Sequence, residues 1–204
     1  MIKTASAKAK GRKLQQWLAA FVIAAVNDLE WLQPPLTERD CFSVSMGKSG
    51  EDLELSQRAQ DLLGVAFECK NLADPKNLAR WHSKMAEKHT RPLVTVFNRS
   101  CRGATWEPVC IMRLADYNSL RGSNLCEETI LKTVRIEVSK TDLLAEFKML
   151  QAYLVGKFYV LVTHTSKPTK QTTPVSVVLF STGYLRYLLH CQVTQSTAAT
   201  RNVK

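Results

Sequence analysis

An α/β fold is predicted for this chain, and three observations predict it. Segments with apolar residues at helical spacing alternate with short β-rich runs. The composition is that of a globular domain, 45% hydrophobic and 23% charged over 204 residues, enough to bury a substantial core. Blocks of the first half also return in the second half at a nearly constant offset.

Leu14, Trp17, Leu18, Phe21, Val22, Ala25 and Leu29 follow helical spacing, so a helix is expected over 11–30 with Trp17 on its core face. Pro34-Pro35 ends any continuation. Residues 36–50 are mostly polar and close in Met46-Gly47-Lys48-Ser49-Gly50, a turn-rich loop. Asp52 to Ser56 alternates as a half-buried strand does. Gln57 to Leu63 suits one or two helical turns, after which Gly64 releases a strand over 65–69. Asp74 as a cap and Pro75 at the first helical position predict a helix to about His89, with Trp81 in the core. Leu93 to Phe97 and Val109 to Leu114 read as adjacent strands, and 116–120 as a short helix.

The second half reads similarly. Strands are expected over 134–138, 158–164 and 174–180, a helix capped by Thr141 runs to Val155, and 183–189 is short and helical. The last dozen residues are polar and expected to fray. Val65-Ala66-Phe67-Glu68 compares with Val134-Arg135-Ile136-Glu137 at an offset of 69, and Leu93-Val94-Thr95-Val96 with Tyr159-Val160-Leu161-Val162 at 66. Asp116 to Leu120 compares with Gly183 to Tyr187 at 67. Either a strand–helix–strand–strand–helix unit occurs twice, or this is the ordinary alternation of an α/β chain.

The charge is uneven. Lys+Arg number 28 and Asp+Glu 18, a formal net charge of +10. Lys3, Lys8, Lys10, Arg12 and Lys13 form a basic arm over 1–13 with no acid. Such a balance suits a polyanion, of which nucleic acid is the commonest; a solubilising tail is the plainer reading. The longest apolar run, Trp17 to Val26, is about half a bilayer span, and no leader pattern stands at the start, so membrane insertion and secretion are not expected. The six cysteines include no C-x-x-C pair, so buried, reduced thiols in a cytoplasm are expected. A Walker loop, a Gly-rich dinucleotide turn, G-x-S-x-G and a His-rich zinc motif are all missing from the sequence, which argues against those enzyme classes.

Two features carry chemistry. Asp52 opens one strand, and Glu68-Cys69-Lys70 ends the next. Glu68 and Lys70, two apart, share a strand face, and Asp52 joins them if its strand lies alongside. Two carboxylates with a main-chain carbonyl make a hard-oxygen site suited to Mg²⁺, and a lysine beside it orients an attacking water and balances developing charge. The plain alternatives are a solvated acidic edge at Glu51, Asp52 and Glu54 and a surface ion pair of Glu68 with Lys70.

The set resembles the PD-(D/E)XK nuclease superfamily. The blocks Lys8–Trp17, Ser45–Asp52, Phe67–Asn71 and Pro92–Ser100 are similar to those of a group of small phage-encoded nucleases within it, some of whose relatives are Holliday-junction resolvases. The resemblance implies a restriction-endonuclease-like core over 14–120: a helix, a mixed central sheet and a second helix. Residues 121–204 would add an α/β extension of unknown role, or a degenerate second copy. It implies Asp52, Glu68 and the Cys69 carbonyl as ligands of Mg²⁺ or Mn²⁺, and Lys70 as the catalytic lysine. Gln15 or Gln16 takes the first-helix position near the metal, with Gln16 preferred. Glu51 stands where the superfamily name has Pro, which leaves Glu51 and Asp52 both open, although the alternation favours Asp52.

The expected activity is metal-dependent DNA endonuclease cleavage, structure-selective for junction or branched DNA, with single-stranded and duplex DNA also open and RNA as a weaker option. A catalytically inactive, nuclease-like DNA-binding or interaction protein is the alternative. A homodimer is expected from the resemblance, because resolvases cut two symmetric strands. Lys8, Lys10, Arg12, Lys13, Lys48 and Arg99 are the candidate phosphate contacts, with solvated surface charge as the plain reading. His82 and His89 are expected to be packed or exposed bystanders, and the Cys69 thiol to point into the core.

Overall fold

The computed structural model describes residues 4–44, 51–72, 78–99, 108–121, 135–137, 160–164 and 175–201. Helix α1 (Thr4–Asn27) leads into strands β1 (Cys41–Ser43) and β2 (Leu53–Leu55), helix α2 (Gln57–Leu63) and strand β3 (Ala66–Leu72). Helix α3 (Leu78–Ala86), strands β4 (Leu93–Arg99) and β5 (Val109–Arg113) and helix α4 (Leu114–Arg121) follow. Strands β6 (Arg135–Glu137), β7 (Val160–His164) and β8 (Val175–Ser181) then precede helix α5 (Thr182–Arg201).

The fold is mixed α/β. A six-stranded sheet has the order β3-β4-β5-β8-β7-β6, and β1 and β2 form a separate antiparallel pair. β3 and β4 are parallel, joined through α3, as a parallel pair requires. β5 runs antiparallel to both β4 and β8. Strands β6, β7 and β8 therefore extend the sheet of the first half, and α5 packs on α1 and α2.

The two faces of the sheet are covered differently. On one, Phe67, Val94, Val96, Cys110, Met112, Val178 and Phe180 pack with Leu18, Val22, Ala25 and Val26 of α1 and Leu185, Leu188, Leu189 and Val193 of α5. On the other, Ala66 and Leu93 meet Ala86 of α3. Alternation along β3 thus puts Phe67 and Cys69 toward α1, and Glu68 and Lys70 toward α3. Among the described residues, no helix is long and apolar enough to cross a membrane.

Four expectations are corrected. The basic arm is helical from Thr4: Lys8, Lys10, Arg12 and Lys13 occupy the first turns of α1, because Ala, Lys and Arg all favour helix. Trp17 is 39% exposed and stacks on Phe21, because its position falls beside the buried stripe of Leu14, Leu18 and Val22. A short strand, β1, lies in the stretch read as a polar loop, and its three residues are too few to show an alternation. The polar C-terminus continues as helix to Arg201, with the hydroxyls of Thr194, Thr197 and Thr200 donating to carbonyls one turn back and Val193 buried beneath. The helix expected over 141–155 lies outside the described residues.

Candidate active site

The site forms where α1, β2 and β3 meet. Ser56 caps α2, its Oγ accepting from the Ala59 N–H, and donates to Asp40. Gly64 closes α2 in the left-handed conformation, at φ 62°, which turns the chain into β3. The Asp52 N–H donates to the Phe67 carbonyl at 3.1 Å, which holds the start of β2 against the edge of β3.

The Asp52 carboxylate is held from two sides. Oδ2 accepts the Cys69 N–H at 2.6 Å, and Oδ1 accepts Gln15 Nε2 at 2.5 Å. In a strand, the N–H and C=O of one residue leave the same edge. The Cys69 carbonyl therefore faces the β2 side of β3, beside the Asp52 carboxylate.

Glu68 completes the acidic pair. Only 6% of its surface is exposed, and the Asp52 carboxylate lies near enough to act on its charge. Burial, then the Asp52 charge, push its pKa up to about 8, against a partial offset from Lys70.

Lys70 follows on the same face of β3. Its Nζ stands 4.3 Å from the centroid of the Trp81 ring, a cation–π contact that fixes the ammonium between β3 and α3.

Of the two glutamines, Gln15 turns toward Asp52 and Gln16, the one the sequence favoured, does not. Gln15 is 5% exposed and faces Asp52, whereas Gln16 lies on the exposed side of α1. The reason is helical phase: Leu14, Leu18 and Val22 define the buried stripe, and Gln15 stands inside its edge while Gln16 is rotated out by about 100°. Glu51 is likewise separated from Asp52. It accepts from Arg91 at 2.5 Å and lies 4.0 Å from His89 Nδ1, so its charge is already matched.

Three residues near the acidic pair were not read from the sequence as site residues. His89 Nε2 lies 3.7 Å from Glu68 Oε1, Arg91 neutralises Glu51, and Trp81 holds Lys70. Helical periodicity covers only Trp81, on α3; His89 and Arg91 lie past its end at Ala86, where no periodicity points to them. His82 is buried and pairs through Nδ1 with Thr95 Oγ1 at 2.8 Å; burial pulls its pKa down to about 3, so it stays neutral. Burial pushes the Cys69 thiol up and the Cys41 thiol to about 12, so neither is a nucleophile.

The donor set fits a hard divalent cation. Gln15 Oε1 is buried with no hydrogen-bond partner, and it sits on the residue that already touches Asp52. An orphaned amide oxygen, two apposed carboxyls and a main-chain carbonyl are the oxygen ligands such an ion takes. Among the described residues, no group of three or more His, Cys, Asp or Glu side chains is gathered for a metal. The set here has two acidic members and relies on amide oxygens for the rest.

Of the candidate phosphate contacts, Lys10, Arg12 and Lys13 are exposed on α1, and Arg12 precedes Gln15 by three, on the same side of the helix. Arg99 ends β4, paired in register with Leu72. Lys48 lies outside the described residues. No protein-family model, curated protein or solved structure matches the chain.

Proposed function

We propose that the chain is a metal-dependent endonuclease that hydrolyses phosphodiester bonds in DNA, with branched DNA the first substrate class to test. The observation that carries this is the half-buried Asp52 paired with the buried Glu68 beside the unpartnered Gln15 oxygen, with Lys70 two residues on. The element order also supports it. Helix, strand, strand, strand, helix, strand is the core of the superfamily the sequence resembles, here with the short α2 between the second and third strands. The net charge of +10 and the basic first turns of α1 suit a polyanion.

Asp52, Glu68 and the Cys69 carbonyl would hold Mg²⁺ or Mn²⁺, with Gln15 Oε1 within the same oxygen set. Such an ion polarises the phosphoryl group and lowers the pKa of a water. In the reaction, a water oxygen forms a bond to phosphorus and releases a proton. The bond from phosphorus to the leaving sugar oxygen breaks, and that oxygen keeps the electron pair and takes a proton from solvent. Lys70 orients the attacking water and balances the charge that builds on the phosphoryl oxygens, and Trp81 limits where its ammonium can go. Gln15 fixes the Asp52 carboxylate through Oδ1, as the Cys69 N–H does through Oδ2. Arg12 and Lys13 hold backbone phosphates without reading sequence.

The test is cleavage of a labelled four-way junction, a single strand and a duplex, each with Mg²⁺ or EDTA, beside Lys70→Ala. Metal-dependent cutting lost in the variant is expected. DNA bound equally well in Mg²⁺ and EDTA and never cut would overturn the reading in favour of an inactive, nuclease-like binding protein.

A further inference from the structure

The six-stranded sheet reads the same from both ends. From one edge it runs β3, β4, β5, and from the other β6, β7, β8. The first pair in each set is parallel and the second antiparallel. The two sets meet at an antiparallel seam, β5 against β8. Each set ends in a helix that directly follows its last strand, α4 after β5 and α5 after β8. This order and sense of pairing are what a two-fold axis normal to the sheet at that seam would generate.

Two details go beyond the order of elements. In β3 and β4, Glu68 stands opposite Thr95; in β6 and β7, Glu137 stands opposite Thr163. The register thus equates Thr95 with Thr163, two residues on from the sequence alignment and on the same strand face. At the seam, the hydroxyls of Tyr117 and Tyr184, each in the first turn of its helix and 67 residues apart, meet at 2.5 Å. Equivalent residues touch each other only beside a two-fold axis, as in the isologous interface of a homodimer. An α/β chain without a duplication has no reason to bring them together.

The halves are unequal in chemistry. Gln15 and Asp52 come from α1 and the start of β2, ahead of the repeated unit. Where the first half has Glu68-Cys69-Lys70, the second has Glu137-Val138-Ser139, with no lysine two positions after the glutamate.

We propose that the chain is a fused dimer with a single working site, which engages DNA as a monomer and nicks one strand per encounter. This rests on the nuclease reading for the cut, but not for the architecture. A symmetric homodimer carries two sites and cuts two strands. Here the internal two-fold replaces the dimer axis, and only the first half has the lysine and lies beside Asp52 and Gln15. Each encounter consumes one water and breaks one phosphorus–oxygen bond.

The experiment uses the full chain on supercoiled plasmid with Mg²⁺, together with sedimentation of the protein free and on a duplex oligonucleotide. The expected results are a 23.0 kDa monomer, one chain per duplex, and open circles accumulating before any linear product. Glu137→Gln should keep the nicking rate within about two-fold, while Glu68→Gln should lose about 100-fold or more. Two chains per duplex, linear product in the first turnover, or loss of nicking in Glu137→Gln would overturn the proposal. If nothing is cut, the nuclease reading fails alone, and sedimentation decides the architecture: one chain per duplex upholds the fused dimer, and two overturn it.

Discussion

Gln15 and Asp52 lie 37 residues apart in sequence, yet Gln15 Nε2 donates to Asp52 Oδ1 at 2.5 Å. The first helix therefore sets the orientation of a carboxylate carried by the start of β2. Gln15→Ala frees one oxygen of Asp52 and removes the unpartnered amide oxygen, so cleavage should fall by about 10- to 100-fold. Gln16→Ala should change it by less than about two-fold, since its side chain is exposed. Single-turnover rates on one junction substrate check both.

Lys70→Ala and Asp52→Asn should each cost about 100-fold or more in cutting. DNA affinity should stay within about three-fold, because binding is carried by phosphate contacts elsewhere. Filter binding and cleavage measured on the same preparations separate the two effects. Far-UV circular dichroism excludes unfolding as the cause.

Stability of the metal-free protein should fall as pH rises from about 4.5 to about 8. Glu68 keeps a proton in the fold that the unfolded chain gives up across that interval, so the unfolded state binds fewer protons and gains from higher pH. Glu68→Gln should flatten the profile and melt higher at pH 8, by about 2–4 °C for each kcal/mol recovered. Added Mg²⁺ should raise the melting temperature of the wild type at pH 8 and leave Glu68→Gln nearly unmoved. Thermal melts across this range, with and without Mg²⁺, measure all three.

Gly64→Ala should destabilise by about 1–2 kcal/mol. At φ 62° an added Cβ is strained, and it would also stand 2.8 Å from Gln192 Nε2. Because that amide is the end of a flexible side chain, it can shift. The double variant with Gln192→Ala should therefore recover only a minor part of the loss, as denaturant melts would show.

Replacing Arg12 and Lys13 together with glutamate should weaken DNA binding at low salt. The slope of log affinity against log salt should drop by about one for each phosphate that the protein no longer neutralises. Titrations at several salt concentrations read this directly, and cleavage by saturating protein should be little changed.

Much of this was legible in the sequence, and the exceptions share physical causes. Strands such as β3, β4 and β8 carry their own signal in β-branched and aromatic runs, and the alternation at Asp52 to Ser56 marked β2. Asp52 and Glu68-x-Lys70 could be named because their spacing along strands decides their face. What depended on tertiary phase could not be read. Gln15 and Gln16 are adjacent, and only the packing of α1 on the sheet decides which one turns inward. His89 and Arg91 follow the end of α3, and only the return of the chain into β4 brings them to Glu68 and Glu51. The end of α5 looked frayed because threonine and serine disfavour helix in isolation; burial of Val193 and the threonine hydroxyls outweigh that preference.

Helix α5 lies along α1, where His190 Nε2 meets the Ala25 carbonyl at 2.6 Å and Arg186 pairs with Asp28 at 3.0 Å. Helix α1 is thus held in place by an element far along the chain. Until residues 182–201 have been made, the apolar stripe that includes Leu18 and Val22 lacks part of its cover. A nascent chain therefore carries its reactive residues before the core beneath them is closed.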